Sequence, residues 1–355
     1  MAEKILMKGN EAIGEAAIIA GCRHYFGYPI TPQTELTEYM SKRMPQIDGV
    51  FLQAESEVAA INMVYGAAGA GARVMTSSSS PGISLKMEGI SYIAGAELPC
   101  VIVNIVRGGP GLGGIQPAQS DYFQATKGGG HGDYRNIVLA PNSVQEMVDT
   151  TVIAFDLADK YRNPVMLLGD GALGQMMEPV EFSPSNAKPI AKPWAATGLK
   201  ERTEPNIITS LHLQPEKLEQ HNIHLQQKYA EISANEVRYE ELYTDDAELV
   251  LVAYGITSRI ARTAMEKARS QGLKVGMLRP ITLWPFPEKP IAALAKKATA
   301  FLTLELSAGQ MVEDVRLAVN GAKPVHFYGR MGGIMPSPKA IFEEITKIFN
   351  GKEGR

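Results

Sequence analysis

Between residue 9 and about residue 183, helix-period segments take turns with short runs rich in Val, Ile and Leu. Runs that are apolar throughout belong to strands covered on both faces, the condition of a parallel sheet flanked by helices. The expected strands are 50–53, 72–77, 99–106, 136–140 and 164–168, and the expected helices are 10–20, 33–43, 57–70, 82–95 and 143–160. Ser143 followed by Glu146 is a capping-box signature for the last of these. A second alternation starts at Ala247, with strands at 248–254, 274–279, 299–305 and 324–328 and helices at 258–271, 309–319 and 338–349. Between the two regions, prolines at 184, 189, 193, 205 and 215 and a polar, His- and Gln-containing stretch read as a linker or arm with one solvated helix. The expectation is an α/β protein of two domains, 1–183 and 247–355, joined by 184–246. Its 355 residues exceed the roughly 250–300 at which a single core stops growing.

Charge and cysteine content exclude several classes of function. Lys plus Arg (35) nearly balance Asp plus Glu (38), with no basic run to follow a phosphate backbone, so nucleic acid is not an expected partner. The longest apolar runs are far shorter than the roughly 20 residues that cross a bilayer, so no membrane span is expected. Charges at Glu3, Lys4 and Lys8 interrupt any signal-peptide core, and the expected location is cytoplasmic. Cys22 and Cys100 are the sole cysteines and form no C-x-x-C, so this chain alone builds no zinc site, iron–sulfur cluster or disulfide framework. A redox centre would have to come from another chain.

Five local signals could carry chemistry. Gly109, Gly111 and Gly114 form a G-x-G-x-x-G after an apolar strand, but Ile-Gln-Pro117 follows where a dinucleotide site needs a helix. The loop then serves close backbone approach to a ligand or partner. Asp170 in Gly-Asp-Gly171 is similar to the start of a thiamine metal–diphosphate motif, but the Asn that should follow is missing, which favours a strand-end turn and no metal site. The segment 53–72 is small or apolar almost all round and reads as a buried helix. Glu55 and Glu57 stand at its start, either as first-turn charges favoured by the helix dipole or as a carboxyl whose desolvation suits it to proton exchange with a ligand nitrogen. Thr31 before Pro32 reads as a helix N-cap or as part of a carboxylate site. Arg107, at a strand end, is either a surface charge or a guanidinium placed for a carboxylate.

Taken together, Tyr28-Pro-Ile-Thr-Pro-Gln33, Gln53-Ala-Glu-Ser-Glu57, Thr76-Ser-Ser-Ser-Ser-Pro-Gly-Ile-Ser84, Arg107 with its glycine loop, and Gly255 with Arg279-Pro280 resemble the alpha subunit of 2-oxoacid:ferredoxin oxidoreductases. With Gly113-Gly-Ile-Gln-Pro-Ala-Gln-Ser-Asp121 and Gly128-Gly-Gly-His-Gly-Asp133, the resemblance is closest to the branched-chain type, acting on 3-methyl-2-oxobutanoate. It implies a pyrimidine-type thiamine-diphosphate-binding domain first and a transketolase-C-like domain from about 247. Thiamine diphosphate would be shared with a beta subunit, while Mg²⁺ and iron–sulfur clusters would sit on partner chains. Coenzyme A would be co-substrate, ferredoxin the electron acceptor, and gamma and ferredoxin-like subunits further partners, with the chain inactive alone.

By the same resemblance Glu57 is the cofactor-activating carboxylate and Tyr28 and Pro29 flank the cofactor. Thr31 and Arg107 would meet the substrate carboxylate and its neighbourhood, and Glu55 would be a nearby decoy. Two alternatives stay open: a 2-oxoglutarate enzyme, which an extra cation for the distal carboxylate would favour, and a non-catalytic subunit that only completes an interface.

Overall fold

The computed structural model describes residues 4–183, 190–199 and 202–353. Its strands are β1 (Ile5–Lys8), β2 (His24–Gly27), β3 (Val50–Gln53), β4 (Val74–Ser78), β5 (Cys100–Val106), β6 (Ile137–Leu139), β7 (Pro164–Asp170), β8 (Met177–Val180), β9 (Tyr239–Leu242), β10 (Leu249–Val252), β11 (Val275–Pro280), β12 (Thr282–Trp284), β13 (Ala300–Glu305) and β14 (Val325–Gly329). Seven of them form one sheet in the order β12-β6-β7-β5-β4-β2-β3, parallel except for β12. Five form a second, β14-β13-β10-β11-β9, parallel except for β9. β1 and β8 make a separate antiparallel pair.

Every residue of β4, β5 and β7 is buried; the mostly apolar runs of β5 and β7 suit strands covered on both faces, whereas β4 ends in the buried polar residues Thr76, Ser77 and Ser78. The chain steps from β2 outward to β3 and then back across β2 to β4, so strand order reverses between β2 and β4. Open α/β sheets bind ligands in the crevice beyond the carboxyl ends of the strands at such a reversal. The loops after β2, β3 and β4 carry Tyr28–Gln33, Glu55–Glu57 and Ser79–Ser80.

The two sheets exchange edges. β12, from the second alternating region, adds antiparallel to β6 of the first sheet, and β9, from the stretch read as an arm, closes the second sheet against β11. The helix Pro215–Asn235 in that stretch is solvated on one side only, since Leu225, Lys228, Tyr229 and Ile232 are buried. Lys228 Nζ donates to Glu97 and to the Arg162 carbonyl at 3.1 and 3.2 Å, tying this helix to the first sheet's layer. Pro184 and Pro189 lie outside the described residues.

A polar seam joins the carboxyl ends of the two sheets. Gln119 Nε2 donates to the Tyr254 carbonyl at 2.9 Å, and its Oε1 accepts from the Thr257 hydroxyl at 2.8 Å and the Leu306 amide at 3.0 Å. Asp170 ends β7 and caps the short helix Gly171–Gln175 through the Ala172 and Leu173 amides, at 2.9 and 3.1 Å. It also accepts from the Ile256 amide, at the start of the helix Gly255–Ser270, and burial pushes its carboxyl up to about 6. Gly255, at a φ of +54°, is the residue that lets the second domain pass this close; a Cβ there would stand 3.1 Å from Gln119 Nε2. Arg279 is 3% exposed and clamps Glu146 of the first domain with two nitrogens, at 2.8 and 2.7 Å.

Candidate active site

Glu57 is the first residue of the helix Glu57–Gly69, behind the N-cap Ser56, whose hydroxyl accepts from the Ala59 amide at 3.2 Å. The carboxylate is 6% exposed, and no hydrogen bond joins it to another described side chain. Its space is made by a glycine. A Cβ on Gly82 would lie 2.5 Å from Glu57 Oε1 and 2.1 Å from Ser78 Oγ, so the carboxyl and the hydroxyl crowd the same point against the helix Ser80–Gly95. Ser78 Oγ and Ser79 Oγ are buried with no partner among the described residues, although Ser79 is the N-cap of that helix and could have capped it. Buried hydroxyls are normally satisfied, so idle ones beside an unpartnered carboxylate mark a place shaped for a polar ligand. Glu55, by contrast, is exposed and precedes the helix.

The helix itself departs from the expectation of burial all round. Val58 is 46% exposed and Asn62 and Gly66 are exposed with it, a stripe at helical spacing. The neighbouring helix Ser80–Gly95 likewise presents Leu85 at 53% and Glu88 and Tyr92. Small and apolar residues around the whole circumference thus serve two purposes, core on one side and an uncovered face on the other.

Arg107 follows β5 and is 8% exposed, which removes the surface-charge reading. Its guanidinium donates to the Thr31 carbonyl at 2.9 Å and the Leu112 carbonyl at 3.1 Å. Nε is buried without a partner, and none of the described acids pairs with the group. A buried cation held by carbonyls alone retains its appetite for an anion. Its amide meets Ser80 Oγ at 3.1 Å, so the arginine and the Glu57-facing helix share one support. Asn104, a polar residue inside the apolar run of β5, accepts from the Ser80 amide at 3.2 Å and donates to Asp121 at 2.9 Å, where burial raises the carboxyl.

Thr31 is not an N-cap. The helix begins at Thr34 behind Gln33, and the Thr31–Pro32 peptide is cis, so a proline that would suit a first helical turn lies in the preceding loop. The Pro32 carbonyl is taken by Asn10 Nδ2 at 2.8 Å. Thr31 is exposed beside Arg107, and Tyr28 and Pro29 are exposed just after β2; Gln33 holds the Tyr28 carbonyl at 3.4 Å. The structure therefore joins Thr31 to Arg107 directly, while Glu57 hydrogen-bonds to neither. Ser78, Ser79, Gly82 and Asn104 escaped sequence reasoning as functional positions. The four-serine run at a strand end and one Asn in an apolar strand were the signals for three of them.

The glycine loop 108–114 leads into an isolated bridge between Arg107 and Pro117, with no helix to hold a pyrophosphate. It packs against a loop of the second domain: a Cβ on Gly108 would lie 3.4 Å from the Gly332 carbonyl carbon, and one on Gly333 would lie 2.2 Å from Cβ of the following Gln116. Beneath it a cleft of about 430 Å³ is lined by Thr31, Pro32, Ile115, Gln116, Pro117, Gly171, Ala172, Gln175, Gly333 and Met335. Among the described residues no helix is long and apolar enough to cross a membrane, and no group of three or more His, Cys, Asp or Glu is arranged to hold a metal ion.

Comparison with known proteins places these features in a wider set. Residues 15–243 match the profile of the family described as pyruvate flavodoxin/ferredoxin oxidoreductase, thiamine diphosphate-binding, and residues 247–341 match pyruvate:ferredoxin oxidoreductase core domain II. The chain is 56% identical to ketoisovalerate oxidoreductase subunit VorB of Methanothermobacter thermautotrophicus, over 97% of each. It is 37% identical to 2-oxoglutarate synthase subunit KorA of the same organism, over 98% of this chain and 100% of that one. Among solved structures, it is similar to 2-oxoglutarate:ferredoxin oxidoreductase from Magnetococcus marinus, with a TM-score of 0.88 and 29% identity. That match covers 98% of this chain and 65% of that one. A split-gene transketolase shares the fold at a TM-score of 0.62 and 14% identity, over 97% of this chain and 98% of that one.

Proposed function

The chain belongs to the thiamine-binding family of 2-oxoacid:ferredoxin oxidoreductases, and from that premise we propose that it is the alpha subunit of a branched-chain enzyme, converting 3-methyl-2-oxobutanoate and coenzyme A to acyl-CoA and CO₂ while reducing ferredoxin. The observation that carries the reading is Glu57, a buried carboxylate with no hydrogen-bonding side chain, sharing the space that Gly82 opens with the idle Ser78 hydroxyl, next in sequence to the idle Ser79. These residues fit the ring end of thiamine diphosphate, whose nitrogens would satisfy them. When bound, that cofactor supplies the carbon nucleophile and electron sink that decarboxylation of a 2-oxoacid needs.

This chain's own work is to hold and move a proton. Glu57 is 6% exposed at the head of its helix, so its carboxyl would exchange a proton with a ring nitrogen of the bound cofactor in preference to solvent. Tyr28 and Pro29, at the end of β2, would flank the ring. Arg107 would take the substrate carboxylate through the nitrogen left unpartnered, with Thr31 beside it. The diphosphate, its Mg²⁺ and the iron–sulfur clusters belong to partner subunits, seated in part on the uncovered faces of the Glu57 and Ser80 helices. Assembly with beta, gamma and ferredoxin-like subunits in the cytoplasm is part of this reading.

Two observations favour a branched-chain substrate over 2-oxoglutarate. Identity to the ketoisovalerate subunit exceeds that to the 2-oxoglutarate subunit by a wide margin. The cleft beside Thr31 is walled by Ile115, Pro117, Ala172 and Met335, and none of its described lining residues is a Lys or Arg that could meet a second carboxylate. The test is an oxoacid panel on the complex purified with its native partners. Reduction of ferredoxin fastest with 3-methyl-2-oxobutanoate is expected; preference for 2-oxoglutarate would replace the substrate assignment. Assembly without any thiamine-dependent turnover, with Glu57 indifferent to substitution, would favour the interface-subunit alternative.

A further inference from the structure

One buried cation near the site has no role in the chemistry above. Lys86 is fully buried on the helix Ser80–Gly95, one turn beyond Gly82, and therefore on the helix face that Gly82 opens to Glu57. Its Nζ donates to the Thr76 hydroxyl at 2.5 Å and the Ser77 carbonyl at 3.1 Å, the two residues of β4 that precede the idle Ser78. Both partners are neutral, and no described carboxylate comes within ion-pair distance of Nζ. An ammonium so enclosed ordinarily has a carboxylate in contact. Across the packed pair of helices, on this same face, stands the Glu57 carboxyl, with Oε1 2.5 Å from where a Cβ on Gly82 would lie.

We propose that Lys86 is a positioning residue for the proposed reaction, its buried amine acting across the Gly82 gap on the Glu57 carboxyl to set how readily that carboxyl exchanges its proton with the cofactor ring. This rests on the thiamine reading of Glu57. Burial pushes the Lys86 amine down to about 7, and Glu57 opposes that shift. The other titratable group facing it is the Cys100 thiol of β5, which burial pushes up to about 12 and so keeps neutral. The protonation state of Lys86 therefore sets whether a positive charge is enclosed on the face that Gly82 opens to Glu57. Both states are accessible near neutral pH, and no proton passes between the two residues in the mechanism.

The test uses the assembled complex stripped of thiamine diphosphate. Calorimetry in buffers of different ionisation enthalpy counts the protons exchanged when thiamine diphosphate and Mg²⁺ bind, from pH 6 to 8, and the pH profile of kcat is recorded in parallel. For K86M, which keeps the volume, the expected result is loss of the pH step in proton exchange and a shift of the acid limb of kcat to higher pH by about one unit, with KM for the oxoacid unchanged. K86R, charged throughout this range, should also lose the step but keep the acid limb at or below its wild-type position. Proton exchange and kcat profiles of K86M that superimpose on wild type would overturn the proposal. Failure of the underlying reading looks different: wild type itself would bind no thiamine diphosphate, or E57Q would exchange as many protons as wild type.

Discussion

The seam around Gln119 and the crevice around Glu57 are both buried, polar and built at strand ends, yet they differ in how completely their groups are paired. At the seam every hydrogen-bonding atom of the Gln119 side chain has a partner in the second domain. Glu305 is likewise consumed, accepting from the Gln310, Met311 and Val312 amides and the Ser307 hydroxyl. At the crevice the hydroxyls of Ser78 and Ser79 and the Nε of Arg107 are left over, and no described side chain hydrogen-bonds the 6%-exposed Glu57. Completed networks rigidify a fold, whereas leftover buried groups raise its energy until something binds. Completeness of pairing, more than burial or charge, separates the Gln119 seam from the Glu57 crevice.

Substitutions should therefore sort the two regions by which property fails. The largest effect is expected from Glu57→Gln, which should lower oxoacid-dependent ferredoxin reduction by about a thousandfold or more while leaving complex assembly and thermal stability nearly unchanged. Near-normal turnover would place Glu57 with the scaffold. Arg107→Ala should raise KM for the oxoacid by roughly ten- to a hundredfold, the cost of losing a charge-assisted contact. An unchanged KM, measured by steady-state kinetics, would leave the guanidinium as a clamp for the Thr31 and Leu112 carbonyls alone.

Gln119→Leu should do the reverse, costing about 2–3 kcal/mol in denaturant unfolding because it strands the Tyr254 carbonyl and the Leu306 amide, with KM little altered. A variant as stable as wild type would show that water replaces those bonds. Glu55→Gln should give the smallest effect, within about 0.5 kcal/mol in stability and twofold in turnover, since that side chain is exposed and outside the helix. A large loss of activity there would exchange the roles of the two glutamates.

Much of the fold was legible because its strands are long apolar runs. Cys100–Val106 and Pro164–Asp170 lie within a residue or two of their expected limits. Of the short elements, Val50–Gln53 lies where it was expected, but β1, β2, β8, β9 and β12 were not foreseen. β2 has only four residues, His24–Gly27, one of them a histidine and one a glycine, and β9 and β12 are held at sheet edges by pairing partners more than a hundred residues away in one case and dozens in the other. Local propensity says little about strands whose hydrogen bonds all go to distant residues. At the site, Glu57 and Arg107 were named from motifs, but nothing local told that Gly82 would clear the space for one or that the Thr31 carbonyl would hold the other.

The order of residues alone settled the α/β class and the short list of candidate side chains, because each follows from residue type and periodicity along the chain. Tertiary structure decided which of two neighbouring glutamates is buried, which serine hydroxyls go unpaired and which lysine shares their enclosure. Those are properties of space left between elements distant in sequence, and desolvation depends on what closes over a group, a quantity no local pattern contains.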